Sequence, residues 1–142
     1  MSFSRVVHRS LLATAVVVAA GAVGPAGAMA RPVEQYHGKV VTLAHEASGR
    51  AAVVRDGRRR LLTLSRSFRI DPGPRVRVYL VAGRVRGDGD VKRFVDLGRL
   101  KGSRGSQQYR IPAGTNVARY RTVVFWCVPF SQAMAKAELR RS

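Results

Sequence analysis

The sequence is poor in cysteine and in acidic residues. Its 142 residues include a single cysteine, Cys127, which excludes a disulfide within the chain. Only 8 residues are acidic, against 26 lysines and arginines. Asp88 and Asp90 lie in one polar loop, but calcium needs about six to eight oxygen ligands, so two acids do not predict a calcium site. CxxC, HExxH, GxSxG and phosphate-loop motifs are absent, as are internal repeats, so no common enzyme class is indicated.

The N-terminal segment has the layout of a secretory signal peptide. Arg5, His8 and Arg9 form a short basic region, and the following range 11–23 is apolar. This apolar range is shorter than the roughly 20 residues of a membrane-spanning helix. Ala28-Met29-Ala30 fits the small-x-small cleavage pattern. We therefore predict a signal peptide over residues 1–30, cleavage near Ala30, and a secreted or extracytoplasmic protein.

The formal net charge of +18 favours polyanionic partners. Inside a cell, nucleic acid would be the first such partner to consider. The predicted export makes anionic envelope polymers, acidic glycans and lipid head groups the expected partners instead, and no nucleic acid is expected. The basic residues are dispersed, and Arg58-Arg59-Arg60 is the only run of three. A solvated basic surface without a specific ligand therefore remains the simpler interpretation.

The rest of the chain predicts an all-β fold. Residues 31–35 are expected to form a flexible lead, and residues 36–142 a single domain. Short alternating or apolar segments are separated by turn residues such as Asp56-Gly57, which suits a hairpin. In one of these segments Val76, Val78 and Leu80 share one face, whereas Arg77 and Tyr79 share the other, which predicts a half-buried strand. Seven to eight short strands predict an antiparallel β-sandwich; the main segments are 39–44, 50–55, 60–64, 75–81, 94–97, 109–111 and 122–128.

The range Thr122–Val128 is unbroken, apolar and rich in β-branched and aromatic residues, which predicts a central strand buried on both faces. Alternation places Val123, Phe125 and Cys127 on one face. Pro129 predicts that the backbone bulges or leaves the sheet just after this strand. The following range 131–139 is compatible with a helix by propensity and equally with an edge strand.

Several motifs resemble the DM-thirteen domain family, the Skeletor-type module. Leu100–Tyr109 has the pattern Leu-Lys-Gly-x-x-Gly-x-Gln-x-Tyr, and Trp126-Cys127 lies within the predicted central strand. His45–Gly49 looks like the His-x-x-Ser-Gly turn of that family. The similarity spans about residues 36–139. It implies an extracytoplasmic β-sandwich with an extended C-terminal tail, and a single cysteine suggested to act in electron transfer. In larger relatives the domain lies beside DOMON and membrane-cytochrome modules.

Cys127 is the main candidate for chemistry. If both faces of its strand are buried, the thiol is inert and structural. If the thiol reaches solvent near a cation, it can form a mixed disulfide, cycle through sulfenic acid or ligate a metal. His45 is a candidate for support, either as a proton acceptor or as a second ligand. Cys127, His45 and His37 are weak candidates for a metal site. Nothing indicates the orienting group and oxyanion site of a Cys–His hydrolase.

The loop around Lys101, Gly102, Arg104 and Gly105 is a candidate anion-binding site. Its backbone N–H groups can form a nest for an anion, next to two cationic side chains. The alternative is a tight connection in which the glycines adopt positive φ angles.

Two functions follow from these observations. The first is a redox or electron-transfer accessory protein that uses Cys127, works with a redox partner at the envelope, and obtains any metal or haem from that partner. The second is a non-catalytic module that binds anionic envelope polymers or lipids through its basic surface. A stand-alone enzyme is less expected than either.

Overall fold

A computed structural model describes residues 13–21, 24 and 30–142. The predicted signal peptide lies largely outside these residues, including Ala28 and Met29 of its cleavage motif, and stays a prediction. Among the described residues, no helix has the length and apolar character needed to cross a membrane. The strands are β1 Val33–Thr42, β2 Ala47–Ser48, β3 Arg50–Asp56, β4 Arg59–Leu64, β5 Arg69–Ile70, β6 Val76–Val81, β7 Phe94–Arg99, β8 Gln107–Ile111, β9 Thr122–Cys127, β10 Gln132–Glu138 and β11 Arg140–Arg141.

Eight strands form one continuous path in the order β7-β6-β9-β10-β1-β3-β4-β8, and β11 pairs with β1. All the pairings are antiparallel. The end strands β7 and β8 approach each other, so the sheet curves almost into a barrel. The short strands β2 and β5 pair separately. The predicted all-β antiparallel fold is confirmed, with eight strands in its main path.

Strand β1 lies between β10 and β3 in the main sheet. Val33–Lys39 pair with β3, whereas Val40–Thr42 pair with β10. Gly38 lies near the end of the first part, and a Cβ atom at this position would overlap the backbone of Glu138. A glycine is therefore required where β1 passes from one partner to the other. The strand begins at Val33, within the segment predicted as a flexible lead, because β3 supplies a pairing partner.

The interior is apolar and built from alternating strand residues. Phe68 and Phe125 are each 1% exposed or less, and their ring centres are 5.2 Å apart. A smaller apolar cluster on the outer side of β6 and β9 includes Tyr79 and Val124. The prediction that Tyr79 lies on an exposed face is wrong, because Val85 from the following loop packs in the same cluster. This side chain is only 7% exposed.

The central strand is β9, and its two faces are both covered as predicted. Val123, Phe125 and Cys127 belong to the main core, and Val124 belongs to the outer cluster. The chain leaves the sheet after Cys127, in a turn that contains Pro129. The tail that follows is strand β10 and not a helix, because its backbone pairs with both β9 and β1.

Candidate functional site

Cys127 is the last residue of the central strand β9. Its Cα lies opposite Val76 of β6 on one side and Gln132 of β10 on the other. The residue is 1% exposed and belongs to the main apolar core, together with Met134. The free thiol is therefore held in place from both neighbouring strands and shielded from solvent.

The thiol of Cys127 lies against an exposed turn that contains Pro74. Its Sγ donates a hydrogen bond to the carbonyl oxygen of Pro74, at 3.3 Å. Pro74 and Arg75 are themselves exposed. Gly73 packs so closely on Met134 that a Cβ atom at residue 73 would lie 2.9 Å from the Met134 Cε. The exposed turn Gly73–Arg75 thus contacts the thiol through Pro74 and carries a cationic residue directly after that proline.

Backbone strain is concentrated around the same cysteine. Among the described residues, Arg75 and Ser131 are the two that are not glycine and have positive φ angles, 43° and 45°. They directly precede Val76 and Gln132, the two residues that lie opposite Cys127. The left-handed conformation costs a non-glycine residue about 1–2 kcal/mol. Strain of this kind persists where surrounding structure imposes it, and it is common at functional sites.

The predicted histidine partners do not join Cys127 in a metal site. His37 lies in β1, where its Nδ1 is 2.9 Å from the Ser142 Oγ and 3.2 Å from the Glu34 Oε1. His45 is partly exposed in the turn after β1, and its backbone N–H donates to the carbonyl oxygen of Met134. In residues 13–21, 24 and 30–142, no group of three or more His, Cys, Asp or Glu side chains is placed to hold a metal ion.

The loop from Lys101 to Tyr109 is closed by its own hydrogen bonds. The Tyr109 hydroxyl donates to the Gln107 Oε1 at 2.6 Å and accepts from the backbone N–H of Lys101 at 2.9 Å. The Gln107 amide donates to the carbonyl oxygen of Gly102 at 2.8 Å. Burial raises the pKa of the Tyr109 hydroxyl, which keeps it protonated as a donor.

Two of the anion-binding donors predicted in this loop have hydrogen-bond partners within the chain. The backbone N–H of Gly105 donates to the carbonyl oxygen of Phe68, and the Lys101 ammonium group donates to the carbonyl oxygen of Gln108. Gly105 has a φ of 83°, as expected for a tight connection. Arg104 is exposed. These contacts favour the structural interpretation of the motif, and anion binding by this loop stays a prediction.

The turn over Cys127 was the part of the site that sequence reasoning missed. Gly73-Pro74 is recognisable in the sequence as a turn signal and as part of the segment that resembles the family, but not as a contact of the cysteine. Its position over the thiol depends on the pairing of β6 with β9, which joins segments 53 residues apart.

One of the comparisons with known proteins found a match to this chain. No curated protein and no solved structure matches the chain. The family described as Electron transfer DM13 matches residues 39–139, which include the cysteine, the turn that covers it and the Lys101–Tyr109 loop. This match covers most of the sequence and confirms the family predicted from the motifs. The chain belongs to the DM13 family.

Proposed function

We propose that this protein is an extracytoplasmic electron-transfer accessory that uses the thiol of Cys127 as its redox group. The electron-transfer description of the family supports a redox-related role. The observation that carries the assignment to Cys127 is its cover: an exposed turn with a strained arginine, directly over the thiol. A cysteine with a purely structural role needs no such strain beside it.

The closed structure protects the thiol, and local opening of the Gly73–Arg75 turn would activate it. While the turn is closed, reagents in solution cannot reach the buried thiol. When the turn opens, Sγ becomes accessible to water and to a partner's disulfide. Opening breaks two long hydrogen bonds, from Sγ to the Pro74 carbonyl oxygen and from the Val128 N–H to the Arg75 carbonyl oxygen, and releases a strained residue, so its free-energy cost is low relative to global unfolding.

The reaction is thiol–disulfide exchange with a partner. The Cys127 thiolate attacks one sulfur of the partner's disulfide, the partner's S–S bond breaks, and the other sulfur leaves as a thiolate. The product is a mixed disulfide in which Cys127 is oxidised and the partner is reduced. A dithiol donor then resolves the mixed disulfide: its first thiolate attacks the sulfur of Cys127 and releases the partner as a dithiol, and its second thiol displaces Cys127 as the free cysteine while the donor becomes a disulfide. One-electron chemistry would need a metal or haem in the partner, and His45 would then have a supporting role at most.

Oxidised glutathione tests this proposal directly. The folded protein is incubated with it at neutral pH, and the mixed disulfide is measured by intact-protein mass spectrometry. We expect one glutathione adduct per chain, removed by a dithiol reductant and absent in Cys127→Ser. A folded protein that stays unmodified, under conditions that modify the denatured protein completely, contradicts the proposal.

Attachment to anionic envelope polymers is a second candidate function. The net charge of +18, which becomes +16 (24 − 8) once the predicted cleavage removes Arg5 and Arg9, favours it, and such binding does not need the cysteine. Binding by charge should weaken steeply with added salt and persist in Cys127→Ser, whereas the redox function should be lost in that variant.

A further inference from the structure

Two neighbouring grooves concentrate positive charge on the side of the molecule where β10 continues into β11. The first has a volume of about 410 Å³ and is lined by four arginines, Arg84, Arg121, Arg140 and Arg141. The second has a volume of about 490 Å³ and is lined by Lys39, Lys136 and again Arg140. The two grooves share Glu138 and Arg140, so they adjoin.

Most of these cations have no carboxylate partner. Within the described part of the chain, the ion pairs include none of the four arginines and not Lys39. Lys136 alone is paired, with Glu138 at 3.1 Å, and it also donates to the carbonyl oxygen of Val85. Five exposed cations thus surround one carboxylate that is already neutralised.

The fold holds these side chains together although they come from distant parts of the sequence. Arg140 and Arg141 lie opposite His37 and Tyr36 in β1. The Arg141 guanidinium lies 5.9 Å from the centre of the Tyr36 ring, a cation–π contact that orients it. Arg121 directly precedes β9, and its carbonyl oxygen accepts a hydrogen bond from Leu139 at 2.7 Å.

The carboxyl group of Glu138 lies in the electrostatic field of these positive charges. Its pKa is lowered, first by the hydrogen bond from Lys136 and, at longer range, by the positive charges of Arg84 and Arg140. Like charges held this closely repel one another, and an anion that lies between them would relieve the repulsion.

We propose that the two grooves form one track that binds a linear polyanion, a polymer with repeated phosphate groups. A single phosphate or lipid head group would fill one groove, whereas cations along two adjoining grooves match repeated charges on a chain. The site gives the second candidate function a definite place. It does not use Cys127, so its failure leaves the redox proposal unaffected.

Inorganic polyphosphate is the probe, and its dissociation constant is measured by fluorescence anisotropy at several salt concentrations. The test variant is Arg84→Ala/Arg140→Ala. The control variant is Arg58→Ala/Arg66→Ala, which removes the same charge from exposed positions that line neither groove. We expect about tenfold weaker binding and a shallower salt dependence in the test variant, and less than about twofold weakening in the control.

Glu138→Gln is the complementary variant, because it removes the only carboxylate that lines the grooves within the described residues. It should tighten polyphosphate binding severalfold, a gain that misfolding would not produce. Arg84→Lys/Arg140→Lys keeps the charge and should bind nearly as the unmodified protein does. If the alanine double variant does not fold, Arg121→Ala/Arg141→Ala replaces it.

Three results would overturn the proposal. Equal weakening in the test and control variants would mean that only the net charge matters. Orthophosphate binding as tightly as the polymer would exclude a track. Strong binding to vesicles that contain phosphatidylglycerol, without binding to polyphosphate, would assign the surface to a membrane. Cys127→Ser should bind polyphosphate unchanged.

Discussion

The Lys101–Tyr109 loop and the Cys127 site both carry residues that identify the DM13 family, but their polar groups are used differently. In the loop, the Tyr109 hydroxyl and the Gln107 amide bind each other and the loop backbone. At the cysteine, the thiol has one long hydrogen bond, to the carbonyl oxygen of an exposed proline.

This difference separates a motif that builds the fold from one that, under the proposed function, serves chemistry. The hydrogen bonds of Tyr109 and Gln107 hold the loop closed, so a substitution there should lower the stability of the fold. The thiol contributes little bonding to the fold and lies beneath a strained turn. A substitution at the cysteine site should therefore change mainly the reactivity of the thiol. Four predictions test this contrast between the loop and the cysteine site.

Tyr109→Phe should have the largest effect. Removal of the hydroxyl leaves the backbone N–H of Lys101 and the Gln107 Oε1 without their partner. We expect the free energy of unfolding to fall by about 2 kcal/mol, measured by urea denaturation. The control is Tyr120→Phe, at a partly buried position, which should change it by less than about 0.5 kcal/mol. Equal losses would mean that the loop network has no special role.

Pro74→Gly should open the cover over Cys127 without removing the carbonyl oxygen that the thiol binds. Glycine raises the entropy of the open turn by about 1 kcal/mol, so alkylation of Cys127 by iodoacetamide should be about fivefold faster. The matched control is Pro112→Gly, at an exposed proline after β8, which should leave the rate unchanged. If both variants accelerate alkylation equally, the thiol is reached by global unfolding and not by local opening.

Cys127→Ser should destabilise the protein by only about 1 kcal/mol, because the serine hydroxyl can still donate to the Pro74 carbonyl oxygen. Denaturation in urea measures this value against that of Tyr109→Phe. A larger loss for the cysteine variant than for the tyrosine variant would reverse the comparison and make the thiol a structural group.

The pH dependence of stability should show the smallest effect. Burial raises the pKa of Tyr109 above its ordinary value of 10.0, so the folded state binds this proton more tightly than the unfolded state does. The stabilisation of the folded state that comes from this Tyr109 proton is fully present below pH 10 and declines as the pH rises beyond that value. Tyr109→Phe should therefore lose less stability in this range than the unmodified protein. The pKa of Tyr79 is also raised by burial, so Tyr79→Phe serves as the comparison.

Much of the fold could be predicted from local pattern. The apolar run of β9 predicted a strand covered on both faces, and the predicted assignment of its side chains to these two faces is confirmed. Tyr79 was misplaced because alternation cannot show that a later loop will bring Val85 over the same face. By propensity alone, residues 131–139 were compatible with a helix or a strand, and pairing with β1 and β9 decides between them.

Less of the candidate site could be predicted from the sequence. Cys127 could be identified because it is the only cysteine and follows the only tryptophan. Its burial under Gly73–Arg75 and the convergence of Arg84, Arg121 and Arg140 depend on contacts between distant segments. Neither arrangement leaves a signal in local spacing or composition.

The depth of Cys127 also determines which disulfides the protein can form. Two sulfur atoms must come within about 2.05 Å to bond, with their Cβ atoms about 3.8 Å apart. Two copies of this chain cannot meet that requirement while each thiol is 1% exposed beneath its turn. In an oxidising compartment a single exposed cysteine would cross-link the protein into inactive pairs. The closed turn thus disfavours self-pairing, and under the proposed function it would admit only a partner slender enough to reach the thiol when the turn opens.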